Sequence, residues 1–207
     1  ILGRVCPRPC EKACRRAQAE GAVAICQLKR LVADLDLASP APYLPDCAPA
    51  TGKRVAIVGA GPTGLSAAWF LCQVGHAVTV FDKNERPGGR LWTETTPEQL
   101  PREVLEGEMG LVFCLGLERR LGVTVGREVS LEALLREFDA VLLAWGDQEL
   151  TLLETLGLKR SGRGIEVDRQ TYQTSRPGLF AAGNAIRGKG MVIRSVADGK
   201  EAALCMD

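Results

Sequence analysis

The chain has 207 residues, 46% of them hydrophobic and 25% charged, so it can bury a real core as one domain with a small appendage. Its 26 Lys and Arg nearly balance its 25 Asp and Glu, which argues against a nucleic-acid partner or a polybasic membrane binder. No apolar run approaches the roughly 18 residues of a bilayer-crossing helix, so we expect no membrane span.

The first 37 residues combine a cysteine cluster with a predicted helix. Cys6, Cys10 and Cys14 recur at intervals of four, and Cys26 follows. Such clustering at one end of an ordinary globular composition indicates metal or cluster ligation in a reducing compartment, and we expect a cytoplasmic protein. The helix is amphipathic by the spacing of its apolar residues, which are Ile25, Leu28, Leu31, Val32 and Leu35.

Residues 38–52 hold four prolines and predict a stiff linker, after which residues 53–207 form the main domain. Strands and helices then alternate, which indicates a mostly parallel α/β sheet. The predicted strands are 54–58, 77–81, 123–125, 140–144, 164–167 and 179–182. The predicted helices are 62–74, 101–120, one opened by Ser130, and one near 192–206.

A glycine-rich loop lies between the first strand and the first helix of this domain, and its residues are Gly59, Ala60, Gly61, Pro62, Thr63 and Gly64. Gly59 permits a tight turn, Gly61 lets the backbone approach a pyrophosphate, and Gly64 allows close contact between helix and sheet. Asp82 ends the next strand, where it can bind ribose hydroxyls. The pattern predicts a dinucleotide site, with a purely structural turn as the alternative, and it does not distinguish FAD from NAD(P).

Two further segments favour FAD. The run from Arg86 to Leu91 contains a Gly-Gly pair just beyond Asp82, and Pro177 to Asn184 resembles the second FAD fingerprint of the two-dinucleotide-domain flavoprotein reductases. That fingerprint ends in Gly-Asp, whereas this chain has Asn184, which keeps a hydrogen-bond acceptor but loses the charge. The alternative is a turn glycine beside a turn-forming Asn.

The segment Gly3-Arg-Val-Cys-Pro-Arg-Pro-Cys-Glu-Lys-Ala-Cys14 is the most specific stretch of the chain. Thiolates hold iron–sulfur clusters, whereas zinc sites usually use C-x2-C pairs, which are absent here. Residues 3–36 resemble the iron–sulfur N-terminal domain of the small (β) subunit of NADPH-dependent glutamate synthase and its relatives. The N-terminal part of dihydropyrimidine dehydrogenase is similar, and the flavin segments match the same family over nearly the whole chain.

The resemblance implies two [4Fe–4S] clusters shared with an upstream four-cysteine stretch. Cys6 and Cys10 match ligands of one cluster, and Cys14 matches a ligand of the other. The family's Glu or Gln ligand falls at Lys29, a poor ligand, and Cys26 lies one turn earlier on the same helix face and could replace it. Two interpretations stay open: either the upstream cysteines lie outside this sequence, or the four cysteines serve a single cluster.

The resemblance also implies how FAD is held. Gly59 to Thr63 would cradle the pyrophosphate, Asp82 and Lys83 would meet the adenosine ribose, and Val129 would touch the adenine by its backbone. The residues expected along the ribityl chain and isoalloxazine ring are Gly89, Arg90, Leu91, Gly183, Asn184, Met191 and Val192.

Family members insert an NADPH-binding domain near the position of residues 146–148, and this sequence has no second dinucleotide loop there. We therefore predict a Rossmann-like FAD-binding domain of the two-dinucleotide-domain type, preceded by a short helical iron–sulfur segment. The predicted function is electron transfer between FAD and [4Fe–4S] clusters, together with ferredoxin-like or iron–sulfur-carrying subunits of a larger oxidoreductase. Two alternatives are a fragment of a complete NAD(P)H-oxidising enzyme and a redox-inactive FAD-binding subunit.

Overall fold

The computed structural model describes residues 1–147, 153, 155–162 and 164–207. The strands are β1 (Arg54–Val58), β2 (Ala77–Asp82), β3 (Glu118–Leu121), β4 (Ala140–Leu143), β5 (Arg160–Ser161), β6 (Gly164–Ile165) and β7 (Leu179–Ala181). The α-helices are α1 (Leu2–Val5), α2 (Pro9–Lys12), α3 (Ile25–Leu37), α4 (Pro62–Gln73), α5 (Leu91–Glu94), α6 (Arg102–Phe113), α7 (Leu131–Glu137), α8 (Asn184–Arg187) and α9 (Val192–Met206). A short 3-10 helix covers Arg15–Gln18.

Five strands form one parallel sheet in the order β3-β2-β1-β4-β7. The central strand β1 pairs with β2 on one side and with β4 on the other. Its alternate residues feed two apolar clusters, with Val55 and Ile57 in the layer of α4, α6 and α9 and Ala56 and Val58 in the layer of α7. A sheet covered on both faces confirms the predicted α/β class.

The sequence-based prediction was right for the first part of the helix predicted at 101–120 and wrong for residues 114–125, where the helix was continued to 120 and a strand was placed at 123–125. Helix α6 ends at Phe113, because Gly116 has φ +83° and turns the chain. The strand is the charged segment Glu118–Leu121, which pairs with β2 at the sheet edge, where the Thr79 hydroxyl donates to Glu118 at 3.0 Å. Edge strands tolerate such charge, so an apolar pattern does not reveal them.

The other strands and helices were placed correctly to within a few residues. Ser130 caps α7 by accepting a hydrogen bond from the Ala133 N–H at 3.1 Å. The predicted strand at 164–167 is shorter, because Gly164–Ile165 forms a small antiparallel hairpin with Arg160–Ser161.

The N-terminal segment packs on helix α3. The Arg4 guanidinium donates two hydrogen bonds of 2.8 Å to the Asp34 carboxylate and so joins α1 to α3. The predicted helix is present, but its apolar stripe faces outward within the described part of the chain. More than half of each of these side chains is exposed: Leu28, Leu31, Val32 and Leu35.

The proline-rich segment after α3 lies along the turn between α4 and β2. The Ala48 N–H donates to the Gln73 carbonyl at 2.8 Å, and the Thr51 N–H donates to the Gly75 carbonyl at 3.0 Å. Its division from the flanking units stays a prediction. Among the described residues, no helix has both the length and the apolarity that crossing a membrane requires.

Candidate functional site

The glycine loop sits where β1 ends, at the carboxyl edge of the parallel sheet. Gly59 has φ +114°, and a Cβ there would overlap the carbonyl of Ala144 at the end of β4. Its N–H donates to the Phe81 carbonyl at 2.7 Å, which joins the loop to β2. Pro62 begins helix α4, where its fixed φ suits the first helical position. Only glycine allows this turn against two neighbouring strands.

Gly61 and Gly64 do different things in the same loop. A Cβ on Gly64 would overlap the Gly59 carbonyl oxygen, so this glycine is required by packing. A Cβ on Gly61 would meet no heavy atom of the described residues within 4 Å, apart from its chain neighbours. The backbone of Gly61 therefore faces open space, as a residue that contacts a pyrophosphate should.

Asp82 is the last residue of β2, and its carboxylate binds the backbone of the glycine loop. It is 9% exposed, and its Oδ2 accepts from the Ala60 N–H at 2.7 Å. Its Oδ1 accepts from the backbone and side chain of Asn84 at 2.8 and 2.9 Å. A carboxylate accepts about four hydrogen bonds, so one lone pair stays available to a ribose hydroxyl. Lys83 is exposed beside it.

The Gly-Gly segment closes the other side of the loop. The Gly88 N–H donates to the Ala60 carbonyl at 2.7 Å, and Gly89, with φ +53°, lies against Gly61, so that a Cβ on it would be 3.3 Å from the Gly61 Cα. Arg90 pairs with Glu94 on its own helix, and Leu91 is buried at the start of α5. The predicted segment is thus beside the loop, with the Arg90 charge already paired.

Helix α5 is held by a residue that the sequence analysis did not select. The Arg102 guanidinium donates to the carbonyls of Leu91, Trp92 and Thr95 at 3.3, 3.1 and 2.8 Å. These carbonyls belong to the last turn of a four-residue helix, where a cation stabilises free acceptors. Arg102 directly follows Pro101, the N-cap of α6, and nothing in the sequence pattern indicates that its side chain contacts α5.

The second fingerprint reaches the same place from β7. Gly183, with φ +68°, lies directly over Thr63, and a Cβ there would overlap the Thr63 side chain. The Asn184 Oδ1 lies close to Gly190, 3.3 Å from where its Cβ would be. Met191 caps helix α9 and is 47% exposed, and Val192 is its first residue. The starts of α4 and α9 therefore lie at the same edge of the sheet.

Val129 lies on the loop beyond β3, also at the carboxyl edge. The loop is joined to β2 by the Val123 N–H, which donates to the Asp82 carbonyl at 2.9 Å. The Val129 carbonyl accepts from the Gly126 N–H at 2.7 Å, and Val125 and Val129 form an isolated bridge. The loop that carries Val129 is thus tied to the strand end that carries Asp82, and its adenine contact stays a prediction.

These residues fit an extended dinucleotide. Helices α4 and α9 both begin at this edge, at Pro62 and Val192, and the N–H groups and partial positive charge of a helix N-terminus suit phosphate or flavin oxygens. The Asp82 carboxylate offers an acceptor that suits a ribose hydroxyl. Gly61, between Asp82 and the starts of these helices in the loop, leaves open space for the cofactor. The arrangement suits the binding of a cofactor, and we assign no side chain in it to proton transfer.

The four N-terminal cysteines do not share one site. Among the described residues, no group of three or more His, Cys, Asp or Glu side chains is placed to hold a metal ion. Cys26 is buried, and its N–H donates to Glu11 at 2.7 Å. Burial, and then a hydrogen bond with the Cys6 thiol, raises the pKa of Cys26, so these two thiols are adjacent. The interpretation in which all four serve a single cluster does not fit this geometry.

Cys10 and Cys14 are more open to solvent. Cys10 is exposed. Hydrogen bonds from the backbone N–H groups of Val23 and then Arg16 lower the pKa of Cys14 and favour its thiolate. Such N–H donors suit a sulfur ligand. The two-cluster interpretation needs Cys6, Cys10 and Cys26 at one cluster, and the described residues do not gather these three either. The number of clusters therefore stays a prediction.

The expected junction with an NADPH domain, near residues 146–148, is only partly visible. Gly146 and Asp147 follow β4 after two residues, Ala144 and Trp145, and Gly146 has φ +81°. Residues 148–152 lie outside the described residues. The absence of an NADPH-binding domain at this junction therefore stays a prediction.

A buried ion pair beside the second fingerprint was also missed. Arg187, the last residue of α8, donates to the Asp198 Oδ1 inside α9. Asp198 is 4% exposed, one of few buried polar residues of the described chain. No sequence pattern joins an arginine to an acid eleven positions later across two short elements.

Comparison with known proteins supports this assignment. The family model of the pyridine nucleotide-disulphide oxidoreductases matches residues 20–199. The chain is 38% identical to the β subunit of NADP(+)-dependent formate dehydrogenase from Moorella thermoacetica over 70% of its length, and 35% identical to the NADPH glutamate synthase small chain from Bacillus subtilis over 84%. It spans 24% of the first relative and 35% of the second.

A solved structure supports the fold. Thioredoxin reductase from Lactococcus lactis aligns with a TM-score of 0.51 at 15% identity, over 73% of this chain and 97% of that one. The predicted Rossmann-like fold, the resemblance to the glutamate synthase small subunit and the oxidoreductase class are confirmed. The chain belongs to the pyridine nucleotide-disulphide oxidoreductase family.

Proposed function

We propose that this chain is the FAD-binding part of an oxidoreductase that transfers electrons between FAD and iron–sulfur clusters, in the manner of a glutamate synthase small chain. One observation carries the proposal: Gly61 faces open space between Gly89 and the buried Asp82, at the start of α4. The backbone of Gly89 lies beside Gly61, and the Asp82 carboxylate accepts from the neighbouring Ala60 N–H, so a glycine backbone and an acceptor stand close together, as a dinucleotide requires.

The residues of the cradle have separate tasks. Gly59 to Thr63 bind the pyrophosphate through backbone N–H groups, and Asp82 with Lys83 orients the ribose. Gly89 to Leu91 and the start of α9 border the flavin end, where the positive end of a helix favours the reduced, anionic ring. The chemistry supplied there is that of a flavin, which exchanges electrons with one partner in pairs and with another singly.

The electron partner is proposed to be an iron–sulfur carrier. Cys6, Cys10 and Cys14 are proposed as ligands of [4Fe–4S] clusters completed by ligands from elsewhere, and Cys26 as a substitute for the family ligand at Lys29. Because the four cysteines are not gathered at one site, we derive no electron route through them. Two relatives are named as a β subunit and as a small chain, and these names support the proposal that this chain also acts as a subunit of a larger complex.

A second candidate is a complete NAD(P)H-oxidising enzyme of which this chain is the flavin part. The names of two relatives favour it, since one is NADP(+)-dependent and the other is an NADPH enzyme. The two candidates differ in what reduces the flavin, a nicotinamide or an iron–sulfur partner.

The test is anaerobic purification of the full chain, followed by measurement of FAD and acid-labile sulfide. We expect bound FAD that is reduced and reoxidised by a ferredoxin-like protein, together with acid-labile sulfide in the presence of its partner subunits. Reduction of the same flavin by NADPH alone would support the second candidate instead. Absence of both flavin and sulfide would overturn the proposal.

A further inference from the structure

The segment between α8 and α9 is tied down from two sides. Arg187, at its start, pairs with Asp198 of α9. Lys189, inside it, pairs with Glu94 of α5 at 3.2 Å, and Glu94 also pairs with Arg90. The two ties differ in burial, because the Lys189 side chain is 72% exposed whereas Asp198 is almost completely buried.

The buried tie is the unusual one. Two of its atoms, Arg187 Nε and Asp198 Oδ2, are buried and have no hydrogen-bond partner among the described residues. Buried polar groups are nearly always satisfied, so an incompletely satisfied pair needs a reason. Replacing such a pair by apolar side chains is often neutral or stabilising, which makes fold stability a poor reason for it.

The surroundings of Asp198 disfavour the charged form of its carboxylate. Burial raises the pKa of Asp198, despite the adjacent Arg187 guanidinium, and the nearby Glu201 carboxylate acts in the same direction. Glu201 in turn accepts from the Tyr172 hydroxyl at 2.5 Å. A neutral acceptor at position 198 is therefore compatible with this environment, provided that it still receives the Arg187 donor.

The position of the Arg187–Asp198 pair in the fold explains why such a pair is present. Residues 188–191 connect Arg187 to the start of α9, and Gly190 lies against the Asn184 side chain. By joining the end of α8 to the second turn of α9, the Arg187–Asp198 pair fixes both ends of this segment. The segment between them carries residues 190 and 191 into the N-terminus of α9, whose first N–H groups have no partner within the helix.

We propose that Arg187 and Asp198 are positioning residues for the flavin, which hold the 188–191 segment so that Gly190, Met191 and Val192 present their N–H groups to the ring. This inference rests on the proposed FAD site and deepens it. Neither residue is assigned contact with the cofactor.

The test compares FAD affinity and the visible flavin spectrum in the full chain and its variants. Asp198→Ala should weaken FAD binding at least about tenfold and shift the flavin absorption bands, because the loop loses its anchor. Asp198→Asn keeps an acceptor for Arg187 and should stay within about threefold of the parent. Leu134→Ala, a buried truncation in α7, controls for general destabilisation and should keep the parent spectrum.

Arg187→Met serves as a second probe if Asp198→Ala does not fold, since it breaks the same contact from the side of the partly exposed arginine. It should weaken FAD binding in the same way. Parent-like affinity and spectrum in Asp198→Ala or Arg187→Met, or equal losses in Leu134→Ala, would overturn the positioning role alone. Failure of the parent chain to bind FAD would overturn both this inference and the proposed site.

Discussion

At the scale of single residues, two glycines in one loop separate packing from binding. Gly64→Ala should lower the free energy of unfolding by about 2 kcal/mol or more, because its Cβ would overlap the Gly59 carbonyl. Gly61→Ala should leave stability nearly unchanged, because Gly61 has an extended φ of −80° and open space around its Cβ position. Thermal or urea unfolding of the two variants without cofactor measures this, and equal losses would contradict the assignment.

Cys72 gives a residue-scale prediction that depends on pH. Burial, and then the nearby Cys47, raises the pKa of this thiol to about 11, so it stays protonated through neutral and mildly alkaline solution. N-ethylmaleimide should therefore leave Cys72 unmodified in the folded chain, while Cys114, which is exposed, reacts. Peptide mass spectrometry after mild alkaline labelling checks this. Labelling of Cys72 as fast as that of Cys114 would show that the core around it is open.

At the scale of elements, the Arg4–Asp34 contact joins the cysteine segment to α3. Burial alone would raise the pKa of Asp34, but the Arg4 and Arg30 guanidiniums outweigh it and lower the pKa below its ordinary value of 3.8. The contact is therefore complete above that value and is lost as the pH falls through the lower, folded-state pKa.

Asp34→Asn should loosen the N-terminal segment at neutral pH. Hydrogen exchange should increase over residues 2–14, because the amide keeps at most one of the two charge-assisted bonds to Arg4. FAD affinity should not change. Asp46→Asn, in the exposed linker, is the matched control. Unchanged exchange in residues 2–14 of Asp34→Asn would show that other contacts hold α1.

The start of α7 gives a second prediction for an element. Ser130→Ala removes the side-chain acceptor for the Ala133 N–H and should cost about 1 kcal/mol of stability. The midpoint of urea unfolding measures the loss, and Ser130→Asp, which keeps an acceptor, should restore most of it. A parent-like midpoint for Ser130→Ala would mean that solvent caps this helix equally well.

Elements also show what the sequence could predict and why the rest was missed. Buried strands such as Arg54–Val58 and the capped helix at Ser130 carry their own signals in apolar runs and cap residues. The edge strand Glu118–Leu121 does not, because pairing with β2 and not burial defines it. The Arg187–Asp198 contact depends on how α8 and α9 meet, which no local pattern encodes.

At the scale of the whole molecule, the topology brings the predicted cofactor residues together. The ends of β1, β2, β4 and β7 lie on one edge of a parallel sheet, so loops far apart in sequence converge there. The four N-terminal cysteines, Cys6 to Cys26, lie instead on the N-terminal segment and α3, which pack beside this domain. For that reason glycine spacing located loops that converge in the fold, and their contacts with a cofactor stay a prediction. Cysteine spacing could not predict which thiols are adjacent.

Direct titration of the cofactor-free chain with FAD tests whether the Gly59–Gly64 cradle binds this cofactor. We predict one FAD per chain, with affinity reduced at least about tenfold in Gly61→Ala although that variant stays folded. Binding of equal strength in the parent and Gly61→Ala, or no binding by the folded parent, would contradict it.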